Sequence, residues 1–136
     1  MRYLGIDYGE KRVGLALSDE EGQIALPYRT VSNTKTLFNE IAAVIKQENV
    51  GRIVVGLPVP FSGGESEQTR EVKKFIEKLK KLSGAPVDTE NEIFTTKMAK
   101  DSGVQQEHLD KASAAIILQS YLDKGLGQNL QAPSAK

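Results

Sequence analysis

Two short apolar runs open the chain, Arg2 to Asp7 and Val13 to Leu17, and only Gly9, Glu10, Lys11 and Arg12 stand as a polar turn between them. Runs of this length with a glycine-containing turn between them predict a β-hairpin, which commits the start of the chain to antiparallel sheet. Ile24 to Val31 predicts a third strand beside the pair, with Gly22 marking a turn and Pro27 an irregularity. The first strand ends in a carboxylate. Asp7 either caps the turn that follows or reaches into a site at the strand edge. Gly5 and Gly9 bracket it, and residues that small would let a phosphate backbone or a metal come close.

Beyond the third strand the periodicity changes. Leu37, Ile41, Val44 and Ile45 recur at helical spacing, with Thr34 or Ser32 as N-cap, and Arg52 to Leu57 follows as a β-branched strand. A loop with Pro58, Pro60, Gly63 and Gly64 leads to a second helix marked by Val72, Phe75, Ile76, Leu79 and Leu82, which Gly84 and Pro86 stop. Val87 to Phe94 predicts a parallel strand, Thr95 the cap of a short helix to about Lys100, and Leu109 to Leu122 the closing helix. This order predicts an α/β fold: a mixed five-stranded sheet, antiparallel meander plus parallel strands, flanked by helices. One domain is expected over residues 1–125, with a flexible tail over 126–136.

Composition narrows the chemistry. With no cysteine there is no disulfide framework, thiol nucleophile, zinc-thiolate site or iron–sulfur cluster. The first apolar run is broken too soon by Asp7 for a signal peptide or membrane span, so a cytoplasmic protein without a membrane partner is expected. Neither the G-x-x-x-x-G-K-[ST] nor the G-x-G-x-x-G phosphate motif occurs. The 18 basic and 18 acidic residues cancel, so any affinity for nucleic acid must come from local clustering.

Four places could carry chemistry. In a regular strand Asp88, Glu90 and Glu92 share one face. For Asp88 and Glu90 the plain reading is an edge strand charged against aggregation, whereas Glu92 sits where the strand gives way to the Thr95–Thr96 segment. Asp110 is either the N-cap of the last helix or the third carboxylate of a cluster with Asp7 and Glu92. Three such carboxylates would form an oxygen-rich site suited to Mg2+ or Mn2+, and a two-metal arrangement needs no side-chain nucleophile. Arg70, Lys73, Lys74, Lys78 and Lys81 line the polar face of the second helix, either merely solvated or tracking phosphates. Lys11 and Arg12 are the better phosphate contacts, because their turn adjoins Asp7. His108, the only histidine, has no second ligand to make a metal site.

Taken together these residues resemble the YqgF, or RuvX, family, described as Holliday-junction resolvases and pre-16S ribosomal RNA nucleases. The resemblance spans nearly the whole chain: the run Gly5-Ile-Asp-Tyr-Gly-Glu-Lys-Arg-Val-Gly-Leu-Ala-Leu-Ser-Asp19, then Val55-Gly-Leu-Pro58 with the Gly63–Gly64 loop, and Asp110, Ala114, Ala115, Ile117, Leu118, Gln119, Tyr121 and Leu122. The family's Asp-Glu-Arg-x-Thr-Thr motif matches Asn91-Glu-Ile-Phe-Thr-Thr96 with two departures, Asn91 and Ile93. The resemblance implies a ribonuclease H-like fold and a nuclease whose catalytic and metal-ligating residues are Asp7, Glu92 and Asp110. Lys11, Arg12, Thr95 and Thr96 would contact nucleic acid, either an RNA precursor or branched DNA, in a monomer or homodimer. Asn91 removes a negative charge beside the site, and Ile93 removes a phosphate contact or structural ion pair. Those losses favour, as the alternative, a nucleic-acid-binding protein of the same fold with weakened catalysis in rRNA maturation.

Overall fold

The computed structural model describes residues 1–59, 64–92 and 106–131, with the last helix described by its backbone alone at 106–109 and 126–131. Five strands, β1 (Arg2–Tyr8), β2 (Arg12–Ser18), β3 (Ala25–Ser32), β4 (Val50–Leu57) and β5 (Val87–Asn91), form one sheet in the order β3-β2-β1-β4-β5. The first three strands are antiparallel, while β4 and β5 run parallel to β1 and to each other. This is the mixed sheet that the alternation of patterns predicted. Pro27 lies where the β2–β3 register slips, between Leu15 and Ala16, and Gly22 takes a left-handed φ of 71° in the turn.

Helices α1 (Leu37–Gln47) and α2 (Glu67–Ser83) cover one face of the sheet, and α3 (Gln106–Gln131) covers the other. Leu4, Ile6, Val13, Leu15, Ile53 and Val55 point toward α1 and α2, where Leu37, Ile41, Val44, Val72, Phe75, Ile76 and Leu79 meet them. Leu82, expected in that stripe, is exposed and takes no part in the core. On the opposite face Ala16 and Val54 pack with Ala114, Ala115, Ile117, Leu118 and Leu122 of α3. The sheet presents small residues there, Gly5, Gly14 and Ala16, and the helix backbone comes close.

Several element ends differ from expectation for local reasons. The N-cap of α1 is Thr36, not Thr34 or Ser32, and no side chain caps the helix. Helix α2 has a stronger start: Ser66 accepts from the Thr69 amide, forming a capping box, and Thr69 Oγ1 donates to the Pro58 carbonyl at 2.7 Å. Gly84, with φ 72°, ends it. Strand β5 stops at Asn91, so Glu92 lies just past it, while Ile93, Phe94 and the Thr95 helix lie outside the described residues. Helix α3 begins at Gln106, which makes Asp110 an interior residue rather than an N-cap, and it continues past Gly125 to Gln131. No helix among the described residues is long and apolar enough to cross a membrane.

Glu90 is not a solvated edge charge, and Asp88, whose side chain is 40% exposed, is one only in part. Both face α3: Asp88 accepts from Arg52 at 2.8 Å and from the Tyr121 hydroxyl, and buried Glu90 accepts from Ser120 at 2.7 Å and Lys124 at 2.8 Å. The edge strand's acids therefore hold the last helix down.

Candidate active site

Asp7 sits at the carboxyl end of β1, opposite Gly14 in the antiparallel register. Side chains alternate along a strand, and Gly5 faces α3, so Asp7 faces α3 as well. The two glycines that bracket it do not leave space for a ligand. A Cβ on Gly5 would lie 2.7 Å from Leu118 Cβ, and one on Gly9 would lie 2.5 Å from the Arg12 carbonyl oxygen. The protein itself fills both positions: α3 seats on Gly5, and the hairpin turn folds over Gly9.

Two further glycines bring the other carboxylates in. A Cβ on Gly14 would stand 1.9 Å from the Asp110 carbonyl oxygen, so α3 lies directly against β2 at the cross-strand neighbour of Asp7. A Cβ on Gly56 would be 3.0 Å from Glu92 Oε2, which places that buried carboxylate over β4. In the parallel register Ile6 pairs with Val55, and Asp7 and Gly56 are the next residue on each strand. Asp7, Glu92 and Asp110 thus belong to one region, on the α3 face at the carboxyl ends of β1 and β4. Neither Gly14 nor Gly56 was singled out as a seat for another element. The available signal was a lone glycine inside an otherwise apolar strand, which marks a close backbone approach.

The carboxylates do not stand ready as a ligand set. Among the described residues no three His, Cys, Asp or Glu side chains are grouped so that they could hold a metal ion. The donor type suits a hard cation, but the arrangement does not supply three ligands. Asp110 is engaged elsewhere: Arg12 Nε donates to its Oδ2 at 2.9 Å, with the Asp110 side chain 16% exposed and Arg12 40%. Arg12, expected to contact phosphate, is paired with the Asp110 carboxylate in this structure. Its neighbour Lys11 is exposed, and its carbonyl accepts from the Asn33 amide at 2.9 Å, while Asn33 Nδ2 donates to the Gly9 carbonyl at 2.8 Å. That clamp fixes the hairpin turn beside Asp7.

Other candidates fall away from the site or outside the described residues. Thr95, Thr96, Gly63 and the His108 side chain lie outside. The basic face of α2 is partly neutralised, Lys73 by Glu65, Lys74 by Glu71 and Lys80 by Glu77, and Lys78 lies 5.0 Å from the centroid of the Phe38 ring. A cavity of about 860 Å3 opens beside Tyr8 on the opposite sheet face from Asp7, and Glu10, Glu67 and Glu71 in its lining disfavour a phosphate there.

Comparison with known proteins decides the family. The family model described as RuvX: Holliday junction resolvase matches residues 1–124. The chain belongs to the RuvX family. A relative from Anaplasma marginale named "Putative pre-16S rRNA nuclease" is 40% identical over 139 residues, covering 95% of this chain and 88% of its own. Another of that name from a Sulfurihydrogenibium species is 39% identical, with 90% of each chain covered. Among solved structures, Thermus thermophilus RuvC in complex with a Holliday junction substrate matches with a TM-score of 0.60 at 15% identity, covering 93% of this chain and 97% of that one. The fowlpox virus resolvase in complex with Holliday junction DNA gives 0.61 at 16%, covering 93% and 99%. The fold of this RuvX chain is therefore the ribonuclease H-like one that the RuvX resemblance implied.

Proposed function

We propose that this RuvX protein is a divalent-cation-dependent nuclease that hydrolyses phosphodiester bonds of structured nucleic acid in the cytoplasm. The substrate would be a pre-16S rRNA 5′ extension or a Holliday junction. Asp7, Glu92 and Asp110 are the catalytic and cation-holding residues. The observation that supports the reading is the close approach of α3 to β2 at Gly14, the cross-strand neighbour of Asp7, together with that of Glu92 to β4 at Gly56. The names of the RuvX relatives support the nuclease reading, and the resolvase complexes of the same fold support nucleic acid as partner.

Mg2+ or Mn2+ in such a site would polarise the phosphoryl oxygen and lower the pKa of the attacking water. The chain's own contribution is geometric and electrostatic. Lys11, exposed on the clamped turn, meets a phosphate beside Asp7, and Glu92 is buried away from bulk water, so that its charge acts more strongly than it would in water. Thr95 and Thr96 are proposed as further phosphate contacts, and the active unit as a monomer or homodimer.

Mn2+-supported cleavage of a four-way DNA junction or a 5′-extended 16S precursor, lost in Glu92→Gln with the fold retained, tests this proposal. Equal cleavage by the variant would remove Glu92 from the site. The Arg12–Asp110 pair favours one second reading, a nucleic-acid-binding protein of weakened catalysis, consistent with the neutral Asn91 at the end of β5. Salt-dependent RNA binding without turnover, unchanged by Asp7→Asn, would support that reading.

A further inference from the structure

We infer that Arg12 is a positioning residue that keeps Asp110 from a cation until a nucleic-acid phosphate takes the guanidinium, so that substrate docking and cation loading are coupled. The inference rests on the reading of Asp7, Glu92 and Asp110 as the cation site. It answers a disagreement between that reading and the structure: the right donors are present, yet among the described residues no three are grouped to hold an ion.

The geometry confines the change to side chains. The Asp110 main chain is pressed against Gly14, two residues along the same strand face from Arg12, so the helix cannot carry Asp110 away without leaving β2. The carboxylate, by contrast, is held by a side chain, Arg12 Nε at 2.9 Å. Arg12 is the more exposed partner, at 40% against 16%, so an incoming polyanion meets the guanidinium before it meets the carboxylate. A guanidinium fork fits phosphate as well as it fits carboxylate. Lys11, exposed on the adjacent turn, adds attraction for the same phosphate without touching Asp110. Exchange of Arg12 from Asp110 to phosphate leaves Asp110 free to turn toward Asp7. The linkage is reciprocal: whatever frees one partner raises the affinity of the other for its ligand.

Two binding measurements without turnover test the exchange. In the first, Mn2+ binding to nucleic-acid-free protein is followed by electron paramagnetic resonance. Arg12→Ala should bind Mn2+ roughly fivefold more tightly than the wild type, the scale of a partly exposed ion pair. Lys11→Ala, which removes an equal charge nearby, should change binding by less than about twofold, because that charge is screened by solvent. Arg12→Lys should restore wild-type affinity, and Arg12→Gln replaces the alanine variant should the latter fail to fold. In the second, four-way DNA junction binding is measured in EDTA. Asp110→Asn should bind severalfold more tightly, and Glu10→Gln, a charge-matched control on the exposed turn, should not. Mn2+ binding that is unchanged or weaker in Arg12→Ala, or raised equally by Lys11→Ala, overturns the exchange while leaving the cation site standing. Absence of Mn2+ binding in every variant overturns the cation site and the exchange together.

Discussion

Gly14→Ala is the sharpest test of how α3 is seated. The new methyl carbon would stand 1.9 Å from the Asp110 carbonyl oxygen and 2.8 Å from the Lys111 amide nitrogen, whereas real Cβ contacts essentially never fall below 3.0 Å. Both obstacles are helix backbone, so no side-chain rotamer relieves them, and α3 must retreat by about an ångström where it crosses β2. That movement loosens the layer of Ala16, Val54, Ala114, Ile117 and Leu118. Overpacking of this kind costs about 1–3 kcal/mol, and a clash with backbone belongs at the upper end, about 3 kcal/mol. For a chain of this size that lowers Tm by about 10 °C. Gly5→Ala meets Leu118 Cβ at 2.7 Å and the Ala114 carbonyl oxygen at 3.0 Å, a milder conflict, so its Tm should fall by less. Calorimetry or far-UV dichroism on both variants, with urea midpoints alongside, reads the difference. A Gly14→Ala protein that melts at the wild-type temperature, or above Gly5→Ala, would refute the seating of α3 on β2.

Three further outcomes follow from local features. The Tyr121 phenol is pushed up to about 12, first by burial and then by its hydrogen bond to Asp88 and that carboxylate's charge. A raised folded-state value means that the neutral phenol contributes stability fully below the ordinary 10.0, and that this is lost as pH climbs through about 12. Titration at 295 nm should therefore show a late-ionising tyrosine that disappears in Tyr121→Phe. Ser66→Ala removes the cap on the Thr69 amide and should destabilise the protein by about 1 kcal/mol in urea unfolding, with Ser66→Asp recovering most of it. Glu90→Ala leaves Ser120 and Lys124 without their shared carboxylate beneath α3 and should lower stability by about 1–3 kcal/mol, whereas a truly solvated edge acid would give almost nothing.

The sheet was legible because its signals are local. Gly9 to Arg12 between two apolar runs specified the hairpin, Pro27 marked the slip in register, and the 3.6-residue stripes of α1 and α2 matched the faces that pack. The candidate site was legible only as a set of residue types. Asp7, Glu92 and Asp110 could be named from motifs, but a motif holds no information about which cation stands next to which carboxylate. The Arg12–Asp110 contact joins residues 98 positions apart, a pairing set by the close approach of α3 to Gly14. The same long-range packing explains the misreading of Gly5, Asp88 and Glu90. Small size and charge on a strand look like openness to ligand or to water until a helix is laid over them.

The most direct test of the central claim is a single-turnover assay of purified protein on a four-way DNA junction and on a 5′-extended 16S rRNA precursor, with Mn2+ or Mg2+, comparing wild type with Asp7→Asn. Dichroism must first show that both proteins are folded. Asp7 is the carboxylate on the central strand in the proposed site, so cleavage of at least one substrate by the wild type is expected. Loss of this proposed ligand should reduce its rate by roughly a hundredfold or more, the scale on which removal of a transition-state charge stabiliser is felt. Cleavage by Asp7→Asn at the wild-type rate would contradict the account.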